Sequence, residues 1–596
     1  MSAVVRNFVF YCCLAVLFGL DCSGQTVELF VSPKGNDKDP GSIDRPFATV
    51  DRARQAVRDI LKKGTAGDIV VNLRGGEFQI DEPLVFDEKD SPGGSRTVTF
   101  RAYNDEKPLI SGGRTITGWR KIRGTVWSTD ITAQRDERGT FRQLFRDGAR
   151  LPRCRYPDGD GMLTIAEVSP DQKQITLREQ IPFLSLKPKA EIIILQNWNI
   201  ARILIDSLSE GKVFLQNEAG WMGHCCCVAK QGMAVFFENS PEFLTEPGEW
   251  YLDESSRQLY YAARDGEDPN TKVFVAPFVD KFLIVRGKPD VAVQNLRFNG
   301  IDFAYTNFSL PAFGYRGLQA GFYGTSLVPA EPEYCEPAAI EFTDAENCFI
   351  DRCTIAHTGA AGVGFGRGTR KCRVTDSEIY DNGGNGINIG HRTEAVGSLD
   401  EDWPRKNEIP TGNEIVNNYV HDCGATQFGA VGIFAAFCSS TTVSHNTVAH
   451  LPYTGISVGF RWNPQPSSME RCTVEANDVF DVMKILADGG CIYTLGLQPG
   501  TIMKDNLLHD VHRSKYAFGG APNNAFFFDE GTTGLRVEGN ISFNTSGEPI
   551  RFNQSKKDDQ SWGVNYFNVD PADNNFPKDL AAKAGGSLFK KSHHIR

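Results

Sequence analysis

Two short acidic segments hold carboxyl groups that could do chemistry if the fold brings them together: Leu486-Ala487-Asp488-Gly489-Gly490 and Phe526-Phe527-Phe528-Asp529-Glu530-Gly531. One member of a carboxyl pair can protonate a leaving oxygen while the other activates water or attacks a carbon. That requires acids from neighbouring elements to reach one face. An architectural reading competes, because Asp before Gly-Gly favours a turn and Asp529 before Gly531 suits a strand end. If the strand continues through Glu530, its side chain points away from that of Asp529, so one of the two is structural. Nearby, Tyr453, Arg461, Trp462, Tyr493, His512 and Tyr516 offer rings for stacking and polar tips for hydroxyl groups. His512, Arg513 and Lys515 keep open a second chemistry, proton abstraction beside a carboxylate.

The elements that must position these residues form a repeat. FIDRCTI from Phe349, RVTDSEI from Arg373, EIVNNYV from Glu414, TVSHNTV from Thr442, TVEANDV from Thr473, IMKDNLL from Ile502 and RVEGNIS from Arg536 align on a small or amide residue. That column reads Cys353, Ser377, Asn418, Asn446, Asn477, Asn506 and Asn540, with Asn299 of LRFNGI placed in the same slot. A second polar column, His357, Asp381, Asp422, His450, Asp481, Asp510 and Asn544, precedes a turn and another strand beginning at a small residue. Its acids and histidines read as corner hydrogen-bond partners. One such coil cannot bury its apolar face alone, so copies must stack about 4.8 Å apart, and amide columns at that spacing can bond from coil to coil. The pattern predicts an all-β chain, a right-handed parallel β-helix. Asp488 then lies on one coil and Asp529 on the next, with residues 511–524 needed to bring them together. The Gly-rich run Gly362–Gly368 falls in a repeat strand rather than ahead of a helix, so it is no phosphate loop.

The N-terminal half differs. Val27–Val31 reads as a strand and Pro46–Lys63 as an amphipathic helix ending at Gly64; strands follow at Asp68–Leu73, Glu77–Phe86 and Thr97–Ala102. Residues 126–272 alternate like antiparallel strands, which predicts an inserted β-sandwich-like domain. The expected order is a signal peptide over 1–24, cap helix and first coils over 25–125, the insertion, the main β-helix over 273–560 and a tail over 561–596.

Composition bounds the partners. With 596 residues, 59 Gly, 40 Phe and 7 Met, the chain suits short strands and tight turns. A net charge of −11 argues against nucleic acid. Arg150, Arg153 and Arg155 offer a local basic groove, but they read as scattered surface charge. Arg6 followed by the apolar run Phe8–Leu20, too short to span a bilayer, predicts export with cleavage near Gln25 and a soluble, secreted or periplasmic monomer. Three of the 15 cysteines fall in that leader; several of the other twelve sit in repeat strands, where they act as small apolar residues. In His224-Cys225-Cys226-Cys227, neighbouring side chains point to opposite faces of a strand, so no metal is predicted.

A family resemblance adds to this. VSPKGNDKDPGSIDRPFATVDRARQAV, VNLRGGEFQIDEPLVF, ISGGRTITGW and WYLDESSRQLYY resemble bacterial β-helix glycan enzymes. HLPYTGISVGFRW, LADGGCIYTLGLQPGT and FFFDEG are similar to glycoside hydrolase family 141. Over roughly residues 26–560 the resemblance implies hydrolysis of complex plant or algal glycans, with α-L-fucosidase and xylanase activities known in the family. It implies Asp488 and Asp529 as the catalytic pair, Glu530 as the alternate acid, and an oligosaccharide or polysaccharide substrate with no cofactor. A polysaccharide lyase or uronate epimerase, and a non-catalytic glycan-binding protein, are the alternatives on the same fold.

Overall fold

The computed structural model describes residues 25–64, 67–132, 140–220, 227–324, 333–391 and 407–587. The apolar leader and His224, Cys225 and Cys226 lie outside them. The chain winds into a right-handed parallel β-helix whose coils each give one short strand to three sheets. The first sheet has 12 strands, from Val27–Val31 to Ser561–Trp562. The second, from Gly76–Gln79 to Ile541–Thr545, and the third, from Leu84–Phe86 to Ile550–Phe552, have 10 each. Register is kept from coil to coil: Ile415 pairs Val443, Val443 pairs Val474, Val474 pairs Met503 and Met503 pairs Val537. All five are buried inside the stack, and burial of each such side chain contributes about 1.5–3 kcal/mol.

The amide column forms a continuous ladder. The main-chain N–H of Asn418 donates to Asn446 Oδ1, and the same step recurs from Asn446 to Asn477, Asn477 to Asn506 and Asn506 to Asn540, at 3.0–3.1 Å. Each Nδ2 also donates to the next Oδ1. The ladder runs one coil beyond the recognised repeat, to Asn565. The left-handed turn needed beside it falls on the preceding residue, at Asp376, Asn417, His445, Ala476 and Asp505. The second polar column is itself left-handed, with φ of 49–61° from His357 through Asn544, which explains its Asp, Asn and His content. One placement is corrected: Asn299 pairs with Asp351, not Cys353. Its coil puts Ile301 in the column, because the polar residue there is two positions early.

The helix starts at Val50, four residues later than the periodicity suggests. Thr49 caps it by accepting from the Arg52 N–H, while Phe47 stays extended and bridges Val31. Val50, Ala53 and Val57 close the end of the core. The single strand expected over Glu77–Phe86 is two, split between the second and third sheets at Asp81-Glu82-Pro83.

The insertion leaves between the second and third strands of one coil. Pro108–Ser111 lies in the second sheet, and the third-sheet strand of that coil is Leu283–Arg286, parallel to Leu84–Phe86. Phe274–Pro277, where coils were expected to resume, instead pairs antiparallel with Gly113–Ile116. The intervening strands are antiparallel, and Ile200–Ser209 is joined by Tyr315–Gln319, a strand from the equivalent turn of the following coil. All these excursions leave through one corner, the turn from second to third sheet. At the far end, residues 566–587 fold back over the second sheet. Phe576 and Leu580 pack against the cluster of Leu507, Ile541 and Ala584, and the Ser587 N–H donates to Asn417 Oδ1.

Candidate active site

The outer face of the third sheet carries the acids. Facing residues in one rung are Ser457, Tyr493, Phe527 and Arg551. Asp488 precedes the strand Gly490–Thr494 and Asp529 follows the strand Asn524–Phe528 on the next coil. Asp488 has φ of 64°, with its N–H fixed by Asn523 Oδ1 at 3.0 Å and its carbonyl oxygen accepting from Tyr453 Oη at 3.0 Å. Its carboxylate accepts from Arg551 Nη1 at 2.5 Å, and that guanidinium stacks 4.1 Å above Phe527. Asp529 is 9% exposed; Oδ2 accepts from Tyr493 Oη at 2.5 Å and Oδ1 from Asn553 Nδ2 at 2.7 Å.

The two acids therefore sit in unlike surroundings. Burial raises the Asp529 carboxyl above the ordinary aspartate range, and the charge of Asp488 adds to that, while the bonds from Tyr493 and Asn553 oppose it. Glu530 is also raised, by burial and then by Asp529. Asp488 instead accepts from a guanidinium, the natural partner of an ionised carboxyl. A buried acid raised above its ordinary range, beside one that accepts from a guanidinium, is an asymmetry that acid–base chemistry can use.

The predicted residues are placed as follows. Asp488, Asp529 and Tyr493 share this face, and Trp462 packs on the cluster of Tyr493, Leu495 and Phe527; the strand stops at Phe528, so Glu530 lies in the turn after it. Arg461 shapes the same loop through Asn463 Oδ1 and Pro466 O. Tyr453 is 1% exposed, so it props Asp488 from behind rather than presenting a ring to a ligand. The imidazole of His512 turns away to Asp481 at 2.6 Å, where His450 and Lys484 also bind. Only its carbonyl serves the site, through Asn523 Nδ2. Arg551 and Asn553 are absent from the sequence reading. Register would have found them, since IRFN at Ile550 aligns with FFFD at Phe526, placing Asn553 level with Asp529.

The GH141 insertion domain model matches residues 124–264, and the right-handed β-helix region matches residues 338–542. A solved structure described as a glycoside hydrolase shares 26% identity with a TM-score of 0.85, over 95% of this chain and all of that one. A complex of XylC with xylose superposes at TM-score 0.45 and 13% identity, covering 88% of this chain and 75% of that one. A rhamnogalacturonan lyase does so at 0.41 and 10%, covering 90% and 87%. No curated protein matches. The insertion-domain match and the structure at TM-score 0.85 support a glycoside hydrolase. With a GH141 insertion domain set into a right-handed β-helix, the chain resembles the β-helix carbohydrate-active enzymes of glycoside hydrolase family 141.

Proposed function

We propose that this protein is an exported glycoside hydrolase acting on complex plant or algal glycans, with substrates of the fucosidase or xylanase type. Asp529 protonates the glycosidic oxygen and Asp488 activates water or attacks the anomeric carbon. The observation that supports this is the asymmetry of the pair: a buried, raised Asp529 beside an Asp488 paired with Arg551. Tyr493 and Asn553 aim the acid, Arg551 aims the base, and Trp462 offers a sugar-stacking surface. A base for lyase chemistry has less support, since the imidazole of His512 is bound to Asp481.

A glycan panel read by chromatography tests this. The wild type is expected to release sugars from at least one glycan, and Asp488→Asn and Asp529→Asn to release none. An ultraviolet-absorbing unsaturated product would transfer the chain to the lyases. Sequencing the exported protein is expected to find its first residue near Gln25.

A further inference from the structure

Arg150, Arg153 and Arg155 are not scattered. With Arg142 and Arg202 they converge on a cavity of about 190 Å3 between the inserted domain and the β-helix, in whose lining Glu238 is the one carboxylate. Architecture accounts for part of this. Buried Glu191 accepts from Arg142 twice at 2.7 Å, from Arg153 at 3.0 Å and from Arg202 at 2.9 Å. Arg202 also binds Glu238, and Arg150 reaches Asp381 on the β-helix at 2.8 Å. Arg155 is held by the carbonyl oxygens of Pro157 and Gly161.

Five guanidinium groups thus face three paired carboxylates, Glu191, Glu238 and Asp381. Glu249, which accepts from the Arg155 N–H, is pushed by burial up to about 7, so it offsets the surplus only in part. Asp160, in the adjoining groove, also acts on Arg155, while Asp422 lies farther along that groove. Arg150 Nη1 and Arg153 Nε are buried and donate to nothing, and Oε1 of buried Gln143 accepts nothing. Burial, then the neighbouring Arg153 and Arg202, pulls Arg142 below the usual arginine range. Crowded cations with unused donors are what an anion relieves.

The cavity adjoins a groove of about 670 Å3, and Arg155, Ala425 and Phe428 line both. The groove passes Asp381, Asp422 and His450 to reach Lys484 and Ile485, on the turn that leads to Asp488. Three coil steps separate Asp381 from that turn, about 14 Å at roughly 4.8 Å per coil. Phe428, Met162 and Tyr516 supply apolar surface along it.

We propose that the cavity binds one anionic group, a carboxylate or sulfate ester of an acidic sugar, with the adjoining sugars lying in the groove. This rests on the glycan-hydrolase reading and narrows it to acidic glycans. Calorimetric titration of the full chain carrying Asp488→Asn tests it, using tetragalacturonate against its methyl ester, and a sulfated galactan oligosaccharide against its desulfated form. At least one acidic probe is expected to bind about tenfold or more tighter than its neutral partner, a difference of about 1.4 kcal/mol. Added NaCl is expected to weaken it. Adding Gln143→Glu sets a carboxylate among the arginines without removing one; it is expected to erase the preference while Tm holds or rises. Arg153→Gln, which leaves Arg142 and Arg202 on Glu191, is expected to weaken the acidic probe about tenfold. The proposal is overturned if acidic and neutral forms bind alike, if no anionic probe binds, or if Gln143→Glu leaves the affinity intact. Because binding is read on a chain blocked in hydrolysis, its failure is separable from failure of the catalytic assignment.

Discussion

Tyr493→Phe removes one atom from the site and leaves the ring in place against Phe527 and Trp462. The lost hydroxyl donates to Asp529 Oδ2 at 2.5 Å, and that bond favours the ionised carboxyl. Tyr493 is itself buried, with its phenol held well above the ordinary tyrosine range, first by burial and then by Asp529, so it stays a donor. A hydrogen bond to a charged group contributes about 1.5–3 kcal/mol, and 1.36 kcal/mol corresponds to one pKa unit. Removing it is therefore expected to raise the Asp529 pKa by about one to two units. A general acid works while protonated, so the alkaline limb of kcat/KM against pH moves to higher pH by that amount. The assay is a pH series for wild type and variant on a glycan from the panel. Asn553→Ala, which removes the 2.7 Å bond to Oδ1, is expected to shift the same limb the same way. An alkaline limb that stays still or moves down would refute the assignment. Movement of the acidic limb alone would make Asp529 the base.

Asp488→Asn and Asp529→Asn are each expected to lower kcat by at least about 10²–10⁴-fold, read by product release, with Tm close to that of wild type. Asn477→Ala removes the acceptor of the Asn446 main-chain N–H and one donor to the Val443 carbonyl inside the stack; a cost of about 1–3 kcal/mol is expected, seen as a lower urea midpoint. Burial alone would lower the His509 pKa, but Asp478 and Asp510 outweigh it and raise it from 6.5 to about 9. That pairing stabilises the fold fully below pH 6.5 and is lost as pH rises through 9, a change of up to about 3 kcal/mol. His509→Gln is expected to flatten the slope of stability between those pH values. Cys348, Cys353, Cys372, Cys423, Cys438, Cys472 and Cys491 are free thiols buried in the coils, so the coils they pack in are expected to unfold at the same Tm with and without a reductant.

The stack was legible because its periodic residues obey local physics. Left-handed corners demand Asp, Asn or His, and the buried ladder demands an amide with both a donor and an acceptor. Where that chemistry lapsed, reading failed: the Asn299 coil has Ile301 in the ladder slot, and Asn299 itself was mistaken for it. Asp488 and Asp529 were found through motif resemblance, because spacing alone does not reveal that Arg551 and Tyr493 gather them on one face. Tyr453 and His512 carried suitable side chains, yet their direction depends on packing between coils. The arginines were the largest misreading. Their convergence is created by Glu191, Glu238 and Asp381, drawn from strands far apart in the chain, and a linear charge count averages it away.

The backfolded segment after Asn565 bears on how the molecule comes apart. A solenoid whose units touch only nearest neighbours can fray from a free end, one unit at a time. Here Gly585 and Gly586 bind the coils of Ala476 and Thr447, and Ser587 that of Asn417, so the terminal turns are strapped to the middle of the rod. Unravelling from that side must first peel the strap away, and the strapped turns should then melt as one block.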